Sequence, residues 1–147
     1  MTAVLRVGLA LLAAVMLIVG AWNQFWPEHF FANFPTVDLL PPFSEHFARD
    51  YGGTSLGVGI VLTAAALFPR TILVIPALLG VWAWSLPHFL FHLSELHHGS
   101  PADTAFVIVS TGSAAVLPPM LLVVAVLRMT RDRRARPDSD LRDPALG

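Results

Sequence analysis

Residues Thr71–Leu93 read TILVIPALLGVWAWSLPHFLFHL, twenty-three positions without an Asp, Glu, Lys or Arg. About 30 Å of hydrocarbon is crossed by roughly 20 helical residues. Inside lipid the backbone must satisfy its own hydrogen bonds, so the stretch predicts a membrane-spanning helix. Just before it, Phe68-Pro69-Arg70 reads as a tight turn. That turn follows a second span that starts near Phe47 or Tyr51 and ends with GGTSLGVGIVLTAAALF at Phe68. Beyond it lies Thr104–Leu127, TAFVIVSTGSAAVLPPMLLVVAVL, and at the start of the chain Val4–Trp22, VLRVGLALLAAVMLIVGAW. The reading is an all-α, four-helix transmembrane bundle, with a membrane domain over residues 1–128 and a disordered basic and acidic cytoplasmic tail over 129–147.

Composition agrees. Only 13% of the 147 residues are charged, about half the share of a soluble domain. The chain has no Cys and no Lys, which removes disulfides, thiolate metal sites and thiol nucleophiles. Phosphate-binding glycine loops, serine elbows and nucleic-acid patches are also missing from the sequence.

Charge sets the orientation. With four crossings, Arg6, Arg70 and the arginines from Arg128 onward share one side, while all six His and six of the ten carboxylates fall in segments at the other. By the positive-inside rule both termini are cytoplasmic in a cell membrane, and residues 24–50 and 94–103 face outward. Arg6 followed by an apolar run and Val19-Gly20-Ala21 also fits a cleaved signal peptide, which leaves three spans in the same orientation. Ser44 is the expected N-cap of the second span, and Ser100-Pro101-Ala102-Asp103 reads as N-cap, N1 proline and N3 carboxylate. Pro76, Pro87, Pro118 and Pro119 are expected to kink the last two spans. The connection Trp26–Pro35, dense in aromatics and Pro, is expected to lie in the membrane interface or to fold over the mouth of the bundle.

Two clusters carry candidate chemistry. Glu45-His46-Phe47-Ala48-Arg49-Asp50 opens the second span; spacing i,i+4 pairs His46 with Asp50 and Glu45 with Arg49. Small residues continue the Asp50 stripe as Gly53 or Thr54 and then Gly57. They let a helix approach or leave room for a ligand. Pro87-His88-x3-His92-x2-Glu95 closes the third span and sets His88, His92 and Glu95 on one face. The two spans are antiparallel neighbours, so the clusters are expected to face each other across the outer mouth, above Trp82, Trp84, Phe89 and Phe91. His97 and His98 read as solvated loop residues; Glu28, His29 and Asp38 have no assignable partner.

The pattern Glu45-His46-Phe47-x-Arg49-Asp50-Tyr51-Gly52, then Pro87-His88-x3-His92, together with Phe34-Pro35, resembles small actinobacterial four-helix membrane proteins over residues 1–128. In architecture it is similar to the DoxX-like group. By analogy of scale and chemistry it also looks like small membrane terpenoid cyclases and sterol isomerases.

Three functions compete. The first is a cofactor-independent membrane enzyme acting by acid–base chemistry, cyclisation or isomerisation, on a lipophilic substrate, terpenoids included. Asp50 or Glu45 is then the acid, and His88 or His92 takes or relays the proton. Arg49, His46, Glu95, Trp82, Trp84, Phe89 and Phe91 bind the substrate, the rings facing cationic charge. The second is a Zn, Fe or haem protein with His46, Asp50, His88 and His92 as ligands. The third is a non-catalytic membrane partner subunit. The expected partners are the bilayer and a lipophilic small molecule, with no nucleic acid.

Overall fold

The structure, a computed structural model, describes residues 2–37, 42–96 and 99–134. The described residues form five helices and no strand: α1 (Thr2–Phe25), α2 (Pro27–Asn33), α3 (Glu45–Leu67), α4 (Thr71–Ser94) and α5 (Pro101–Arg134). Three of them, α1 from Ala3, α4 and α5, are long and apolar enough to cross a membrane. At 23 residues, or about 34 Å, α3 has the length. It opens with four ionisable residues and carries four glycines, which keeps it outside that group.

α1 packs most extensively on α3 and α4 on α5; the seam between α3 and α4 is narrower, and α1 meets α5 only sparsely. Glycine makes the first pairing possible. A Cβ on Gly52 would lie 2.5 Å from the Gln24 amide nitrogen, and one on Gly20 would lie 3.0 Å from the Gly52 carbonyl. Two backbones pass there with no space for a side chain. The face of α3 that meets α1 is therefore Gly52, Ser55 and Gly59, all buried. A Cβ on Gly53 would touch only the Gln24 side chain, at 3.5 Å, and Gly57 faces open space. The stripe expected from Asp50 runs along the neighbouring face instead.

Side chains at one end of the bundle interlock. Leu5, Leu9, Leu62, Val74, Leu78 and Val81, near the start of α1, the end of α3 and the start of α4, are almost inaccessible. Leu121 and Ala125 of α5 complete this core. The outward face is equally apolar: Val4, Val7, Leu11 and Ile18 of α1 are 57–65% exposed. A stripe of that kind is costly in water and matches hydrocarbon.

Local signals close the ends. Ser100 and Asp103 form a reciprocal cap, with the Ser100 amide donating to Asp103 Oδ2 at 2.9 Å and the Asp103 amide to Ser100 Oγ at 3.3 Å. Ser44 occupies the N-cap of α3, but its side chain makes no capping bond. Pro76, Pro87, Pro118 and Pro119 all lie inside continuous helices. Arg128 Nη1 donates to the Pro69 carbonyl at 3.2 Å and ties α5 to the α3–α4 turn. α5 runs on through Arg134, so residues 129–134 continue the helix; residues 135–147 lie outside the described residues, as do Asp38, His97 and His98.

Candidate functional site

The packed core fills only the arginine-bearing end. Toward the other end the α1–α3 and α4–α5 pairs enclose a cavity of about 380 Å³, within the roughly 300–1,000 Å³ of small-molecule sites. Its roof is aromatic. α2 begins one residue after α1, with Pro27 at its first position, which suits a residue lacking an amide hydrogen. The turn places Phe30 and Phe34 stacked at 4.6 Å, with Phe34 edge-on to Phe106 of α5 at 6.0 Å. Trp22 meets Phe30 edge-on at 5.2 Å, and its indole N–H donates to His29 Nδ1 at 2.9 Å. His29, which had no partner in the sequence, thus closes back on α1 across the helix break. Thr36, buried behind this roof, has φ of 71°, a left-handed conformation strained for a β-branched residue.

The polar wall comes from α4 and α3. Trp84, His88 and His92 are spaced by four and form one ladder: Trp84 stacks on His88 at 5.0 Å, and His88 meets His92 edge-on at 4.5 Å. Tyr51 of α3 approaches both Trp84 (5.3 Å) and His88 (5.7 Å). All four line the cavity. α5 contributes Ser110 and Thr111 to the lining, and α1 contributes Asn23. Ser110 Oγ donates to the Phe106 carbonyl at 2.6 Å and Thr111 Oγ1 to the Val107 carbonyl at 2.7 Å. Among the described lining residues there is no Asp, Glu or Arg.

The expected site residues therefore divide. His88, His92 and Trp84 come together at the cavity; Glu45, His46, Arg49 and Asp50 lie outside its lining. His46 Nε2 pairs with Asp50 Oδ2 at 3.3 Å, both side chains mostly exposed. Arg49 pairs with Glu45 at 2.8 Å and donates through Nη1 to the Gln24 carbonyl at the end of α1. α1 has no basic residue in its last turn, so Arg49 supplies the positive charge its C-terminus favours. Phe89 packs against Gly112 of α5. Trp82 and Glu95 are half-buried outside the cavity, and Phe91 is exposed beside His92. Among the described residues no three His, Cys, Asp or Glu side chains stand together as a metal-binding group. His46–Asp50 and His88–His92 are two pairs and do not form one four-ligand set.

Tyr51, Thr36, Ser110 and Thr111 went unremarked as site residues. A signal for Tyr51 existed: it is the only Tyr of the chain and falls one turn after Phe47, on the face that Ser44 and Ala48 share in lining the cavity. Compared with protein families, curated proteins and solved structures, the chain matches none.

Proposed function

We propose that the chain is a multi-pass membrane enzyme, four helices deep, that takes a lipophilic molecule into the cavity beneath α2 and moves a proton on it. The supporting observation is an apolar chamber whose wall brings two imidazoles and a phenol together without a fixed charge. Such a chamber takes an apolar body and meets its polar point with hydrogen-bonding groups. His88 and His92 accept and return the proton, and Tyr51 donates a hydrogen bond to the developing charge. Isomerisation suits this set better than cyclisation, because protonating an alkene calls for a carboxylic acid and the described lining holds none. Glu45, His46, Arg49 and Asp50 then form a polar rim at the headgroup level, with α2 as the interfacial cover. The orientation follows the arginines: Arg6, Arg70 and the end of α5 face the cytoplasm. The resemblance to small DoxX-like membrane proteins is compatible with this architecture and adds no chemistry.

The test is extraction and mass spectrometry of lipophiles that co-purify with the protein in nanodiscs. Ala114 lines the cavity; Ala114→Phe fills it and is expected to abolish co-purification of a specific lipophile. Equal retention by the wild type and Ala114→Phe would place the molecule elsewhere and end the proposal. Bound metal in place of a lipophile, lost on His88→Ala, would favour a metal-binding protein.

A further inference from the structure

We infer that the cavity selects a neutral lipophile bearing a hydroxyl group, and rejects the carboxylate and the ether of the same chain. This rests on the cavity being a lipophile site and names the head group that site takes. The argument is a count of hydrogens. A Ser or Thr hydroxyl has one hydrogen and two lone pairs. Ser110 and Thr111 have already given their hydrogens to the carbonyls of Phe106 and Val107. What remains toward the cavity is acceptor capacity. Asn23, almost fully buried, gives one of its two amide hydrogens to the Val19 carbonyl at 3.1 Å and keeps both a donor and an acceptor, so it does not discriminate. The two α5 hydroxyls lining the chamber therefore ask for a hydrogen from the ligand.

The donors stand on α4, the helix packed against α5. Phe89 lies against Gly112, with its ring 3.3 Å from where a Cβ on Gly112 would sit. That contact sets His88 and His92 at the level of Ser110 and Thr111. Neither imidazole makes a hydrogen bond within the described residues; their contacts are with rings. A neutral imidazole carries one N–H donor. A hydroxyl placed between the two walls gives its hydrogen to Ser110 or Thr111 and accepts one from His88 or His92. An ether can accept but not give. A carboxylate brings a negative charge that no Arg among the described lining residues neutralises, and an unpaired charge in an apolar chamber is strongly unfavourable.

The experiment uses the full chain in neutral phosphatidylcholine nanodiscs, equilibrated separately with dodecanol, dodecyl methyl ether or dodecanoate. Native mass spectrometry of the released protein reads the bound fraction. Dodecanol is expected to bind about tenfold more tightly than the ether, the worth of one to two net hydrogen bonds, and dodecanoate not at all. The double variant Ser110→Ala/Thr111→Val should lose the preference and still bind the ether, which also shows that it folds. An ether or carboxylate binding as well as the alcohol overturns the inference and leaves the lipophile site standing. So does a double variant that keeps the preference. If none of the three binds, both readings fall.

Discussion

Gly52→Ala is the sharpest perturbation of the fold. The added methyl would sit 2.5 Å from the Gln24 amide nitrogen and 2.9 Å from the Gly20 carbonyl oxygen. Both are backbone atoms of α1 and cannot swing aside as a side chain can, so α1 and α3 must separate. Overpacking of this kind costs about 1–3 kcal/mol, and contact with backbone puts Gly52 near the upper end. Alanine returns about 1 kcal/mol through its better helix propensity. The net loss is about 2 kcal/mol, on the order of 30-fold in the folded-to-unfolded ratio. The separation also draws Gln24 away from Arg49, so the loss does not shrink on relaxation. Gly57→Ala is the matched control, since a Cβ there meets nothing within 4 Å; it should be neutral or slightly stabilising. Unfolding in mixed micelles with increasing SDS, followed by circular dichroism, reads both. If Gly52→Ala and Gly57→Ala unfold at the same SDS fraction, the α1–α3 crossing is not where these residues place it.

Further outcomes follow from the same geometry. His88→Ala and His92→Ala should each abolish turnover of the co-purified lipophile, whereas Asp50→Asn should stay within about twofold, since Asp50 lies outside the cavity; a dead Asp50→Asn with active His variants would reverse the assignment. Arg49→Met should lower stability by about 1 kcal/mol in the same micelle assay; no change would show that the Gln24 carbonyl needs no partner. Ser100→Ala should cost about 1 kcal/mol through loss of the cap on α5, read as earlier loss of helical signal. The chain has no Cys, so Glu28→Cys, Arg70→Cys and Arg133→Cys report topology directly. Position 28 should react with an impermeant maleimide in intact cells, and positions 70 and 133 only after permeabilisation. Labelling of all three from one side would exclude four crossings.

What could be read from the sequence was what one helix dictates by itself. Thr71–Leu93 announces its solvent by lacking charge, Ser100-Pro101-Ala102-Asp103 announces a helix start, and His88 with His92 declares a shared face. What could not be read was how helices face one another. α3 is small-residue-rich on several sides, so Gly53 and Gly57 look as fit to meet a neighbour as Gly52 and Gly59. The choice depends on α1 bringing Gly20 to the crossing. The same ambiguity hid the cavity wall. Asp50 and Tyr51 are adjacent in sequence, but about 100° apart around a helix, and that rotation takes the carboxylate out of the chamber and brings the phenol in. The Trp22–His29 bond spans a helix break, and Thr36 adopts its strained backbone without the glycine that would have flagged it.

The uneven filling of the bundle has a consequence for how the protein tolerates change. Its interlocked leucines and valines lie toward the arginine-bearing end, while the aromatic roof and the imidazole ladder occupy the other. Substitutions around the chamber can reshape it without loosening the assembly, and damage among the leucines should unfold the chain whatever the shape of the chamber. Change in the shape of the chamber can therefore accumulate in one half of the molecule while the other half remains as it is.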